Sequence, residues 1–285
     1  MTDWPKVEVE VDADAADDVG AELLDAGATG VEQQDLDGGG VRLVAYFPAP
    51  PELGDIALRL APYPGVRSAP VGGSTPDDDW LKVWKRGFEP IPIGRRLLVL
   101  PSWKRDRAAE FPGRVRIEID PGMAFGTGTH ETTRMCLEWL DEHWHGGTLL
   151  DVGTGTGILA MAAALLEPES TVVAVDVDPV AIDVARENAA SNRAGQIEFA
   201  VGGPGRVSGL FDAVLANLTA DVILRESDPL LGRLRPGGAL VLSGILLEQA
   251  EDVAAAFAAE GLEITWRREQ GEWTAFALRA PADWG

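Results

Sequence analysis

Apolar and polar positions alternate in two different ways along this chain of 285 residues. Near the start, Val7, Val9 and Val11 alternate with Glu8 and Glu10, the period of a half-buried strand. Asp12 or Asp14 is placed to cap a helix carrying Val19, Leu23 and Leu24, which Gly27 stops. A strand from Thr29 to Gln33 comes next, then a turn at Gly38–Gly40, then alternation through Val41, Leu43, Ala45 and Phe47. A second helix carries Ile56 and Leu60, and a last strand lies near Val66 to Val71. The predicted order is βαββαβ, the ferredoxin-like arrangement. Residues 72–78 (Gly-Gly-Ser-Thr-Pro-Asp-Asp) read as a linker. Trp80, Leu81, Val83, Trp84 and Phe88 follow at helical spacing and predict a short amphipathic helix.

Farther on, the apolar positions form unbroken runs. Arg96–Leu100 and Arg114–Ile119 read as strands around a charged loop. Residues 148–152, 171–176, 197–201, 211–216 and 238–243 alternate with helical segments. Such runs predict parallel strands with helices on both faces. Leu262–Arg268 and Thr274–Arg279 then pair across Gln270-Gly-Glu-Trp273 as an antiparallel hairpin. The fold class is therefore α/β, a doubly wound sheet ending in an antiparallel hairpin, with a small α+β domain ahead of it.

Candidate chemistry sits in two glycine-rich loops that flank one helix, within residues 120–157. The second loop, Asp151-Val-Gly-Thr-Gly-Thr-Gly157, lies between an apolar strand and the helix beginning Ile158-Leu-Ala. Its spacing is G-x-G-x-G, with Ile158 where a dinucleotide fingerprint needs its third glycine, and no P-loop lysine follows. Asp176 ends the next strand, where a doubly wound sheet places the acid that grips a ribose. A glycine loop and a ribose acid without a phosphate site suit S-adenosylmethionine. An ordinary strand-to-helix turn fits the glycine triplet alone equally well.

The first loop, DPGMAFGTGTHETT, tips that balance. With DVGTGTG, AVDVDP and LANL, it closely resembles the ribosomal protein L-11 methyltransferase (PrmA) family. DWLKVWKRGFEPIPIGRRLLVLPSW upstream, and LSGIL and GEW downstream, extend the resemblance, which is strong from residue 79 onward and weaker before it. It implies a Rossmann-like class I methyltransferase domain at 93–285, a linker with a short helix at 72–92 and a substrate-recognition domain at 1–71. It also implies methyl transfer from S-adenosylmethionine to lysine side chains, and an α-amine, of ribosomal protein L-11, free or in the ribosome.

Carried over residue by residue, the donor contacts are Thr133, Gly153, Asp176 and Asn217. Gly155 shares the glycine turn, and Phe125 and His130 neighbour the methionine portion. The family often reads THPTT where this chain has THETT, so Glu131 replaces a proline that need not touch the donor. Asn217, at a strand end, is placed to accept a hydrogen bond from an incoming amine; a turn asparagine is the bland alternative. His130 is a candidate base. Thr129 is placed to cap the following helix, Cys136 reads as a buried thiol and Trp273 as either a cover for the site or core. His143 and His145 lack a cysteine cluster, so no metal site is expected.

Composition changes the picture in one respect. The formal charge is −22, which disfavours direct capture of nucleic acid. An acidic surface would attract a basic partner. Adaptation to high salt explains it equally well, since only four lysines occur. No apolar run approaches the roughly 18 residues of a membrane helix, the N-terminus lacks a signal core, and one cysteine allows no internal disulfide. The expectation is a monomeric cytoplasmic enzyme, away from membranes. Two alternatives remain: methylation of another protein, such as an electron-transfer flavoprotein subunit, and methylation of a small molecule.

Overall fold

The computed structural model describes residues 3–36, 39–76, 88–120, 128 and 130–284. The chain forms two compact units, Met1–Gly87 and Phe88–Gly285. The helix predicted from Trp80 onward lies outside the described residues, apart from Phe88, as do Gly122, Phe125, Gly126 and Thr129. No helix among the described residues is long and apolar enough to cross a membrane.

The first unit runs β1 (Asp3–Asp12), α1 (Ala16–Asp25), β2 (Gly30–Leu36), β3 (Gly40–Tyr46), α2 (Leu53–Leu60) and β4 (Val71–Pro76). Its strands lie in the order β2-β3-β1-β4, every neighbouring pair antiparallel. The alternating Val7, Val9 and Val11 face Val19, Leu23, Ile56 and Leu60 in one core. Two expectations change here. Residues 72–76, read as linker, form most of β4 and pair with β1, while Val66 contributes only an isolated bridge to Val11. Asp12 makes no side-chain cap; its carboxylate accepts from Arg67 Nε at 2.6 Å.

The second unit opens with a small sheet: β5 (Ile91–Ile93), β6 (Leu97–Leu100) and β7 (Val115–Glu118). Then come α3 (Glu131–His143), β8 (Thr148–Val152), α4 (Ile158–Leu166), β9 (Thr171–Asp176), α5 (Pro179–Ser191) and β10 (Glu198–Val201). The chain continues through β11 (Phe211–Asn217), α6 (Ala220–Arg225), α7 (Ser227–Leu231), β12 (Leu234–Leu246), α8 (Ala250–Ala259), β13 (Glu263–Gln270) and β14 (Trp273–Arg279). The large sheet reads β10-β9-β8-β11-β12-β14-β13. Strands β8 to β12 are parallel, and β14 runs antiparallel to both β12 and β13. Asp178 caps α5 by accepting from Val180 N–H at 2.8 Å, with Pro179 at the first helical position.

The hydrophobic runs follow from burial on both sides. Helix α4 reads Ile-Leu-Ala-Met-Ala-Ala-Ala-Leu-Leu and has almost no polar face, because it is buried nearly all round. Leu149 and Leu215 of the large sheet share its cluster, and so do Leu97, Val99 and Ile117 of the small one.

Helix α3 is held at its far end by Arg96. The backbone N–H groups of Arg95 and Arg96 donate to the Asp141 carboxylate at 2.8 and 2.5 Å. The Arg96 guanidinium donates to the carbonyls of Leu140, Asp141 and Trp144 at 2.9, 3.0 and 2.9 Å. Leu140 O also accepts the last helical bond, from Trp144 N–H at 3.1 Å, and a cation suits that end of the helix dipole. Removing the guanidinium in Arg96→Ala should therefore lower the unfolding free energy by about 2–3 kcal/mol in denaturant titrations. A loss under about 0.5 kcal/mol would be that of an ordinary surface change and would rule out the clamp.

Candidate active site

From β8 the chain steps through β9 and β10 to one side, then returns to place β11 and β12 on the other. Beyond the carboxyl ends of β8 and β11 the connections part and leave a crevice. A cavity of about 720 Å³ opens there.

The turn after β8 forms its floor. Gly153 and Thr154 donate their N–H groups to Val175 O at 2.9 and 3.0 Å. Gly155 N–H donates to Asp176 Oδ2 at 3.0 Å. Gly153 has φ +73°, and a Cβ there would meet Leu218 Cδ2 at 2.4 Å, so the position needs glycine.

Asp151 lies beneath the turn, almost fully buried. Its Oδ2 accepts from Thr154 Oγ1 at 2.6 Å and from Ala160 N–H at 3.2 Å, while Oδ1 has no partner among the described residues. Burial pushes its carboxyl up to about 6; the two hydrogen bonds oppose this, and the nearby Asp176 charge adds to it.

Asp176 ends β9. Its Oδ1 accepts from Asp178 N–H and its Oδ2 from Gly155 N–H, both at 3.0 Å. An ionised carboxylate offers about four acceptor sites, so two remain for a pair of hydroxyls.

Asn217 ends β11. Its Nδ2 donates to Thr133 Oγ1 at 3.3 Å, which fixes the amide and leaves Oδ1 as its acceptor. Gly244, at φ +83°, lies against it: a Cβ would sit 2.4 Å from Leu218 O and 3.2 Å from Asn217 Oδ1. The Ser243 hydroxyl donates to Thr132 O at 3.0 Å and ties the start of α3 to β12.

His130 is the N-cap of α3. Its Nδ1 accepts from Thr132 N–H at 3.3 Å and lies 2.8 Å from Thr132 Oγ1. The ring meets Trp273 edge-on, 5.4 Å between centroids. With Nδ1 accepting, Nε2 carries the hydrogen in the neutral ring. The ring therefore caps α3 while lining the cavity.

Five residues singled out from the sequence thus line one cavity: His130, Gly153, Gly155, Asp176 and Asn217, with Trp273 beside them. Thr133 does not line it. It is buried behind Asn217, and Thr132 takes its place on the wall. Phe125 lies outside the described residues. The cap expected of Thr129 is made by His130. Burial pushes the Cys136 thiol up to about 12, as suits an inert side chain. Sequence reasoning missed Val177, Gly202, Gly203, Pro204, Arg225 and Glu226, which line the far end. The Gly202-Gly203 pair directly after β10 was the available signal.

The family model for ribosomal protein L11 methyltransferase (PrmA) matches residues 3–281. The chain belongs to that family. A ribosomal protein L11 methyltransferase of Pelobacter propionicus is 40% identical over 99% of this chain and 99% of its own. One from Pelotomaculum thermopropionicum is 44% identical over 85% of this chain and 80% of its own. Among solved structures, the ribosomal protein L11 methylase of Lactobacillus delbrueckii subsp. bulgaricus is 31% identical, with a TM-score of 0.63 over 68% of this chain and 99% of that one. The large sheet is the Rossmann-like methyltransferase sheet expected of this family.

The Asp151 carboxyl links stability to pH. Between its unfolded value near 3.9 and its folded value of about 6, the folded protein holds a proton that the unfolded chain has released. Its contribution to stability therefore falls as pH rises through that window. Asp151→Asn removes this dependence, so the variant should gain on the wild type by about 2 kcal/mol between pH 4 and pH 7 in denaturant titrations. A difference independent of pH would show that the carboxyl titrates normally.

Proposed function

We propose that this chain transfers methyl groups from S-adenosylmethionine to lysine side chains, and to the N-terminal α-amine, of ribosomal protein L11. The observation that carries this reading is the end-to-end family match, residues 3–281, which takes in the N-terminal unit as well as the catalytic one. A small-molecule methyltransferase would share the catalytic unit but would have no clear use for the first, and one for a different protein would need a different first unit. In this reading residues 1–71 dock the protein substrate.

The cavity fits the donor. Its volume is that of a small-molecule site, and its lining is mostly apolar with a few polar groups. Gly153 and Gly155 let the donor approach the backbone, and Asp176 takes the ribose hydroxyls. When bound, the donor supplies an electrophilic methyl group on a positively charged sulfur.

The chain's own residues present the nucleophile. An amine with a reference pKa near 10.4 is neutral in only about one molecule in 2,500 at pH 7. Val152, Leu218 and Trp273 give the amine an apolar surrounding, which penalises its ammonium form. Asn217 Oδ1 accepts one N–H of the neutral amine and turns its lone pair toward the methyl. Thr133, by holding Nδ2, keeps that oxygen in place. Positioning of this kind accounts for much of the acceleration in such a displacement.

Labelled donor, incubated with the enzyme and an unmethylated lysate, should mark L11 above other proteins; label concentrated elsewhere would refute the substrate. Asn217→Ala should lower turnover by about a hundredfold while donor affinity changes less than about threefold. Asp176→Ala should weaken donor binding by about tenfold or more. Unchanged turnover in the first variant, or unchanged affinity in the second, would remove the role given to that residue.

A further inference from the structure

Arg134 is the one arginine on α3, and its guanidinium is left without a partner. Its Nε is shut off from solvent with no hydrogen-bond acceptor, and no hydrogen bond or ion pair joins the rest of the side chain to a described residue. A desolvated donor without an acceptor is costly. Two carboxylates stand within helical reach, and neither is used. Glu131, three residues back, lies 4.0 Å from His130 Nδ1 instead. Glu138, four residues on, accepts from Gln270 Nε2 at 3.1 Å. In a chain where acidic residues outnumber basic ones by 46 to 24, a half-buried arginine without a carboxylate calls for an acceptor from outside.

Its position in the fold supplies one. Arg134 stands one turn after His130 and one turn before Glu138, on the same face of α3. His130 lines the cavity and meets Trp273 edge-on, while Glu138 meets Gln270. Arg134 therefore lies along the tip of the β13–β14 hairpin, between those two contacts. Side chains on a helix lean toward its N-terminus, so the guanidinium leans back toward the rim that His130 and Trp273 form. Arg134 itself does not line the cavity, which places it beside the entrance rather than against the donor. Its neighbour Thr133 holds Asn217 from behind the wall.

We propose that Arg134 binds the protein substrate, donating to a backbone carbonyl of the segment that carries the target amine. This rests on the reading in which the chain methylates lysine side chains and an α-amine of one protein. A lysine side chain and a chain terminus have in common only the backbone beside them, and every such segment offers carbonyl acceptors. A guanidinium carries five N–H donors, enough to take a carbonyl from more than one approach. The hydrogen bond is charge-assisted and forms at a partly desolvated donor, so it holds the segment while Asn217 orients the amine.

The test is steady-state methylation of unmethylated L11, with S-adenosylhomocysteine titrated calorimetrically into the same variants. Arg134→Met keeps an apolar stem and removes every donor. It should raise KM for L11 about tenfold, while kcat and S-adenosylhomocysteine affinity each change less than about threefold. Arg134→Lys restores a cationic donor and should recover part of the loss. The denaturant midpoint of Arg134→Met should equal or exceed that of the wild type, since no bond within the protein is removed. Mass spectrometry should show the slowing at every amine that the wild type methylates. An unchanged KM for L11, a loss confined to one amine, a lowered midpoint or an equal fall in S-adenosylhomocysteine affinity would each overturn the role given to Arg134 and leave the methyltransferase reading intact. Failure of the wild-type enzyme to methylate L11 would end that reading, and this proposal with it.

Discussion

The site depends on how the chain is held as it leaves β8. Three successive N–H groups, those of Gly153, Thr154 and Gly155, are bonded to the end of β9: two to Val175 O and one to the Asp176 carboxylate. Beneath them Asp151 bonds both the turn, through Thr154, and the first turn of α4, through Ala160. A buried carboxylate is a costly way to fix a loop. What it yields is a rigid surface with little side-chain cover, on which a ligand can lie directly against backbone. The raised carboxyl of Asp151 and the accessible glycines thus share one cause.

Helix α3 brings the other half of the site to this floor. Its N-terminus carries His130, Thr132 and Thr133, which cap the helix, line the wall and hold Asn217 respectively. Its outer face carries Glu138 and Glu142, which accept from Gln270, Trp266 and Arg268 of the edge strand β13. Some of the chain's abundant acid is therefore spent on tying down the last hairpin. Charge composition alone could not separate such residues from those that face solvent or a basic partner.

Much of this was legible in the sequence, and for physical reasons. Strands β8 and β9 coincide with the predicted runs because parallel strands buried on both faces leave continuous apolar stretches. Asp176 and Asn217 could be placed because a strand end beside a glycine turn has few possible positions. The misreading of residues 72–76 has a cause of its own. Strand β4 reads Val-Gly-Gly-Ser-Thr-Pro, with no apolar alternation, and is recruited by backbone pairing to β1, which composition does not record. Thr132 and Thr133 differ by one residue, yet their directions on the helix differ by about 100°. Thr132 thus lines the cavity, while Thr133 reaches it through its bond to Asn217.

Both ends of α3 are committed, one to the site and the other to Arg96 and Asp141. The number of residues between His130 and Trp144 is consequently not free to vary. One residue inserted or deleted there would rotate the threonines about 100° relative to Asp141, so that either the clamp or the wall would face the wrong way. Substitutions along the exposed face can accumulate, whereas a change in length must be compensated within the same helix. Drift in this segment should therefore proceed by replacement of side chains, with gaps confined to the loops on either side.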